Sequence, residues 1–400
     1  MSQSFRPVVL SGGGSRGAYG AGVLFALRKF QSLTSLETNF YCGTSVGALN
    51  AVLAAQGDLN QLLKLCSTLT TKDVIGTKNS DVGLSVGWKM WTKQDPFHHF
   101  ENKALAKLIA QYASYQKLTQ CDAHVAICVT NYTTGNLETF YSSSLIDQFV
   151  KYEVDNCIEE RKRRFSYYKR IESQPQLEAA LLASAAIPFF FPPVKIGDDF
   201  YVDGGVGNNT CTRQAAFFCR YLDKMDLGKS LPTICVINDP MSFAIANGER
   251  MRGKDVILRT IDLFQHELVT DTLLTWRRIN SEAKHLEAQQ ASLLGSVRDA
   301  PGLTDSQREH LQSEINTIMG KVNAATPRLN LELWEIRPNP SLAIVDSLTF
   351  APDVSRKLRH RGTFDFINKL VAMNLIDMAD QQRWDGELNQ EITKIESENV

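Results

Sequence analysis

Short apolar runs, glycine turns and helix-forming stretches follow one another through the first part of the chain. Residues 7–10, PVVL, form an unbroken apolar run of the length of a buried strand. The run ends in SGGGSRG, and AYGAGVLFALRKF after it is rich in helix formers. Residues 40–42 predict a second short strand, which turns through GTSVG into VGALNAVLAAQ, a helix with Leu49 and Leu53 on one face. Two successive strand–turn–helix units imply a parallel sheet with crossover helices, an α/β fold. Residues 123–130 and 234–238 predict further core strands, and 331–336 alternates like a late strand.

Elsewhere the pattern changes. Residues 71–103 lack a regular period and carry Gly, Asp and Trp, which predicts a long loop or lid. Residues 241–323 predict mostly polar helix, interrupted at Pro301 and Gly302. From residue 364 onward the chain predicts helix, increasingly charged and fraying. The expected organisation is an α/β core over 1–240, with the lid or insert at 71–103, and a mostly helical extension over 241–400 packed on it. No internal repeat or low-complexity tract interrupts this picture.

Composition narrows the function classes. With 43% hydrophobic and 22% charged residues the chain lies in the globular range. Its 43 Lys+Arg against 44 Asp+Glu give a net charge of −1, which argues against a nucleic-acid partner. Eight cysteines are scattered without a C-x-x-C pair or a histidine at zinc spacing, as expected of buried, reduced thiols in a reducing compartment, with no metal. The start, MSQSFRPVVLSGGG, has no signal-peptide pattern, and no apolar run reaches the roughly 18 residues of a membrane span. The expectation is a soluble, cytoplasmic protein, with signal-independent secretion left open.

The candidate chemistry sits at the turns. Gly43-Thr44-Ser45-Val46-Gly47 follows a strand and opens a helix, where a sharp turn needs small neighbours on both sides of an exposed hydroxyl. The helix amino terminus beside it favours developing negative charge. The alternative is an ordinary N-cap serine. Gly12-Gly13-Gly14-Ser15-Arg16-Gly17 also satisfies the dinucleotide pattern GxGxxG, but the next strand runs into the GxSxG turn without the acidic residue a ribose needs. Placed one strand before a nucleophile, the glycine loop fits an oxyanion hole better. Asp203-Gly204-Gly205 follows the apolar run FYV and ends it with a carboxylate, though alone DGG is usually just a turn. His266, His285, His310 and His360 follow in the order an α/β-hydrolase triad requires, yet all lie in polar, helix-like segments and are expected to be surface residues.

GGGSRG, GTSVG and DGG, in that order, resemble the patatin-like phospholipase family. LLASAAIPFFFPPV (181–194) is similar to the family's apolar block, YVDGGVGNN (201–209) to its aspartate run, and LTFAPDVSRKLRHRG (348–362) to a C-terminal segment of bacterial members. Thr210 stands where many members have proline. The resemblance implies a three-layer α/β/α fold with a mainly parallel central sheet and a Ser–Asp dyad without histidine. It makes Ser45 the acylated nucleophile, Asp203 the base, Gly43 and Gly47 the elbow glycines, and Gly12, Gly13 and Gly14, with Arg16 nearby, the oxyanion hole.

The implied reaction is acyl-ester hydrolysis of a phospholipid or other acyl lipid, phospholipase A or lysophospholipase in type. A non-phospholipid esterase, a thioesterase, a neutral-lipid lipase and a catalytically silent lipid-binding module are the alternatives. Phe189, Phe190 and Phe191 are read as core or acyl channel. EERKRRFSYYKR (159–170), with six basic and two acidic residues, reads as a solvated helix face or loop, or as a peripheral contact with an anionic membrane surface. Trp88, Trp91, Phe97 and Phe100 suit a lid or interfacial contact and equally burial against the core. No calcium loop or cofactor motif is present, so no cofactor is expected; a homo-oligomer is neither required nor excluded.

Overall fold

A computed structural model describes residues 4–34, 36–76, 100–156, 167–225, 229–240, 253–325, 333–338 and 347–398. Its centre is a mixed, mainly parallel sheet. Leu333–Ile336, Thr233–Val236, Pro7–Leu10, Phe40–Thr44 and His124–Asn131 lie side by side and parallel, followed by Leu137–Tyr141, antiparallel, and Tyr168–Arg170. Val8, Val9 and Leu10 are fully buried, as expected of parallel strands covered on both faces by helices. The helices Val46–Ala55, Gln174–Ser184 and Thr212–Lys224 all pack on these strands.

One irregularity of the sheet positions the site. Phe40–Thr44 pairs with His124–Asn131 only as far as Thr44, opposite Cys128. Beyond that point Asp199–Asp203 takes over the same edge, antiparallel, with Asp203 opposite Val129. The chain leaving Thr44 for its helix therefore meets the end of the aspartate strand.

Two compact units are present, Met1–Val269 with Leu333–Val400, and Thr270–Glu332. The chain after Leu333 thus belongs with the core. In the helix Pro352–Ala372, a Cβ on Gly362 would lie 2.2 Å from the Tyr19 carbonyl, and one on Gly22 would lie 2.1 Å from that of Arg359. Only glycines permit this backbone approach to Gly17–Thr34. The helix starts at Pro352 rather than near 364, with proline in its first turn, where the missing N–H costs nothing. The final helix, Gln381–Ser397, was expected to fray. Instead Leu388, Ile392 and Ile395 are buried, because their spacing makes one apolar face. Fully buried Arg359 pairs with Glu396 and ties the two helices together.

Within the second unit, helix Gly253–Asp299 reaches its end and Asp305–Ala325 begins, around Gly302 at φ 84°. Gln290 donates to Asn316 at 3.0 Å across the pair. Of the loop expected at 71–103, Thr71–Ile75 is helical, started by a capping box between Thr70 and Asp73. Lys103–Tyr112 starts the next described helix. Trp88, Trp91 and Phe97 lie outside the described residues, as do residues 159–166 of the basic segment. Phe100 packs between Phe190 and Phe191, with centroids 6.1 and 6.0 Å away. Among the described residues no helix is long and apolar enough to cross a membrane.

Candidate active site

Ser45 occupies a strained turn. Its φ of 55° and ψ of −129° lie outside the regions that L-residues favour, and its side chain makes no capping bond to the helix Val46–Ala55. It is therefore not an ordinary N-cap. The flanking glycines are required by contact: a Cβ on Gly43 would lie 2.3 Å from the Gly47 carbonyl oxygen, and one on Gly47 would lie 2.2 Å from that of Leu10. The Ser45 amide donates to Ser184 Oγ at 2.9 Å, and Ser184 donates in turn to the Cys128 carbonyl at 2.7 Å. Ser184 comes from the apolar block before the aspartate strand, and the sequence reading assigned it no part. A hydroxyl among alanines was its only signal.

Asp203 is fully buried at the end of its strand. Its Oδ1 accepts from Gly205 N–H at 2.6 Å, and Oδ2 makes no close hydrogen bond. Burial raises its carboxyl to about 7, and the Ser45 hydroxyl and the Gly205 amide pull less strongly the other way. The Ser45 hydroxyl therefore lies within reach of this carboxyl. A group held near neutrality can exchange a proton in either direction at physiological pH.

The glycine loop is held from several sides. Gly12 N–H is directed to Asn209, 3.3 Å from its carbonyl oxygen and 3.1 Å from Oδ1, so it is already engaged. The Gly13 carbonyl accepts from the backbone N–H of Arg16 at 3.1 Å and from its Nε at 3.3 Å. Because the peptide is trans, this turns the Gly14 N–H away from Arg16. Among the described residues neither Gly13 nor Gly14 N–H has a protein acceptor, whereas Ser15 N–H donates to Ser347 at 2.8 Å. Gly13 and Gly14 take φ values of 146° and 56°, which glycine alone adopts freely. Arg16 is buried and ion-paired, with Nη2 2.7 Å from Asp262 and 2.9 Å from Asp239. Its charge is spent on these carboxylates, so its part is to hold the loop. Asn238 adds a further tether through Ser11, donating to its carbonyl at 2.7 Å. Asn238, Asp239 and Asp262 are distant in sequence, and no local pattern marks them.

A cavity of about 140 Å³ adjoins the loop and the elbow. Gly14 and Ser45 line it together with Leu49, Leu53, Leu108 and Phe191. Its volume resembles the roughly 150 Å³ that admits a benzene-sized apolar guest. Of the three phenylalanines, Phe190 and Phe191 are buried, while Phe189 is half exposed at φ 70°.

Thr210 donates its N–H to Asn208 Oδ1 at 3.0 Å, a bond proline could not make. Of the four histidines expected at the surface, His285 and His310 are exposed, but His266 and His360 are partly buried. His266 meets Arg337 at 3.0 Å. Burial, and after it neighbouring arginines, push both of these imidazoles below their usual range. Among the described residues no histidine hydrogen-bonds to Ser45 or Asp203. The only group of three metal-ligating side chains among them is Cys42, Cys128 and Cys211.

Comparison with known proteins places the chain in a family. The profile of the family described as patatin-like phospholipase matches residues 8–216, just over half of the chain. A relative named probable lipid hydrolase 463L, from invertebrate iridescent virus 6, is 26% identical over 215 residues, 51% of this chain. The match spans 61% of that relative's length. Among solved structures, the crystal structure of VipD from Legionella pneumophila aligns over 100% of this chain and 81% of that one, with 12% identity and a TM-score of 0.33.

Proposed function

We propose that this chain, which belongs to the patatin-like phospholipase family, is a serine lipid acyl hydrolase of the phospholipase A or lysophospholipase type. The observation that carries the reading is the buried Asp203 carboxylate. It has one unpartnered oxygen and faces a strained Ser45 on the wall of an apolar cavity. In this reading the cavity takes the start of the acyl chain and Ser45 Oγ attacks the ester carbonyl. Asp203 accepts the hydroxyl proton. The oxygen charge that develops is met by the Gly13 and Gly14 amides and by the amino terminus of Val46–Ala55. Collapse expels the alcohol, which takes the proton back from Asp203. Asp203 then activates water to free the fatty acid and regenerate Ser45.

A base raised to about 7 suits this cycle better than a surface aspartate, because it accepts and returns protons with less mismatch to the alkoxide. No disulfide joins two of the described cysteines. The cavity discriminates acyl chains, so esterase, thioesterase and neutral-lipid substrates differ from phospholipid only beyond it.

The test is labelling with an active-serine organophosphonate, read by peptide mass, beside fatty-acid release from phospholipid vesicles. Labelling at Ser45 that is lost in Ser45→Ala and weakened in Asp203→Asn, with release from vesicles, is the expected result. A folded protein that neither labels nor releases fatty acid would be a silent lipid-binding module. Labelling with release only from soluble esters or thioesters would overturn the phospholipid assignment.

A further inference from the structure

Behind the elbow three thiols converge. Cys42, Cys128 and Cys211 are fully buried, and their Sγ atoms all lie within 4.8 Å of one another. The sheet brings two of them together. Cys42 and Thr44 share one face of their strand, Thr44 is in register with Cys128, and Cys128 with Thr139. Cys211 arrives from the segment that opens the helix Thr212–Lys224, which packs on the same strand. Its Sγ lies 3.2 Å from Thr44 Oγ1, and its carbonyl accepts from Cys42 Sγ at 3.6 Å.

We infer that Cys42, Cys128 and Cys211 form a three-coordinate site for one soft, thiophilic monovalent ion, of which Cu(I) is the representative. Three sulfurs at a metal–thiolate distance of about 2.3 Å around a trigonal ion stand about 4 Å apart, within the spread these side chains already have. The donor set excludes hard cations, which take oxygen ligands. It also disfavours zinc, whose structural sites need a fourth ligand, and no His, Asp, Glu or fourth Cys joins the three among the described residues. Sulfur donors in a dry pocket select Cu(I).

The thiolate, not the thiol, is the ligand, so binding displaces the three cysteine protons to solvent and changes no oxidation state. The ion ties the elbow strand to His124–Asn131 and to the segment after Asp203, so it stiffens the frame of the candidate site. The inference does not depend on the hydrolase reading.

The experiment is an anaerobic titration of the reduced, full-length protein with Cu(I) in competition with bicinchoninate. Wild type and Cys235→Ala, a buried cysteine outside the group, are expected to withdraw one equivalent and to melt at higher temperature with copper. Cys128→Ala is expected to bind on the order of tenfold or more weaker and to show no copper-dependent rise. X-ray absorption on the one-equivalent wild-type complex should count three sulfur neighbours, and this reading stands even where the variant fails to fold. No copper withdrawn, equal binding by a folded Cys128→Ala, or a complex with two sulfurs or with nitrogen and oxygen neighbours would leave a hydrogen-bonded thiol cluster and nothing more.

Discussion

Asp262 holds Arg16 by a 2.7 Å ion pair between two buried side chains, one on the helix Gly253–Asp299 and the other in the glycine loop. Asp239 adds a second carboxylate at 2.9 Å, and Arg16 Nε reaches the Gly13 carbonyl. The loop's orientation therefore depends on a helix that lies far along the chain. Removing one member of a buried pair strands the others, at about 3–5 kcal/mol. Arg16→Ala is expected to lower thermal stability by that order and to abolish serine labelling. Arg16→Lys keeps the charge but loses the forked geometry, and should retain most stability with reduced turnover. Thermal melting beside labelling rates checks both, and normal labelling in a folded Arg16→Ala would dismiss the loop-holding role.

Asp203 sets a pH dependence. In the folded chain it keeps its proton up to about 7, whereas the ordinary value is 3.8. Between those values the folded state binds more protons than the unfolded one, so Asp203 makes stability fall as pH rises through that window. Asp203→Asn removes this contribution. The variant should gain on the order of 2–4 kcal/mol over wild type above pH 7, and little near pH 4. Denaturant melts across pH measure it; a gain independent of pH would contradict the raised carboxyl. Hydrolysis of a soluble ester should rise to a plateau with a midpoint near 7, and a midpoint near 4 would remove Asp203 from the role of base.

Ser184 supports the elbow from behind. Ser184→Ala leaves the Ser45 amide without its acceptor in a buried setting, at about 1–3 kcal/mol. Stability should drop by that amount, and kcat should fall more than KM rises. Unchanged kcat in a folded variant would mean that the Ser45 turn keeps its shape without this bond.

Leu108 lines the cavity with Ser45. Leu108→Trp fills part of it, so palmitoyl esters should lose on the order of tenfold in kcat/KM while butyryl esters change little. Equal losses on both would place the acyl chain elsewhere.

The elements around Ser45 were legible because the constraint is local. A five-residue turn that brings the Gly43 and Gly47 positions into van der Waals conflict with carbonyl groups admits only glycine there, and the apolar run before it can only be a buried strand. The same holds for the break at Pro301 and Gly302. The strand Leu137–Tyr141 was not read, since LETFY interrupts its apolar run with Glu138, a charge that is buried and paired with Lys169. Charge count misled in the final helix too, where three well-spaced apolar residues outweigh a polar surround.

What the chain's own pattern could not supply was distance across the fold. Asp203 meets Ser45 because two strands share one edge of His124–Asn131, Arg16 finds Asp239 and Asp262, and Cys211 closes on Cys42 and Cys128. Local sterics and hydrophobic period operate within a few residues and are written in neighbouring letters. Strand register, ion-pair partners and thiol proximity arise only when segments far apart in the chain compete for the same buried space, and that competition is settled by packing.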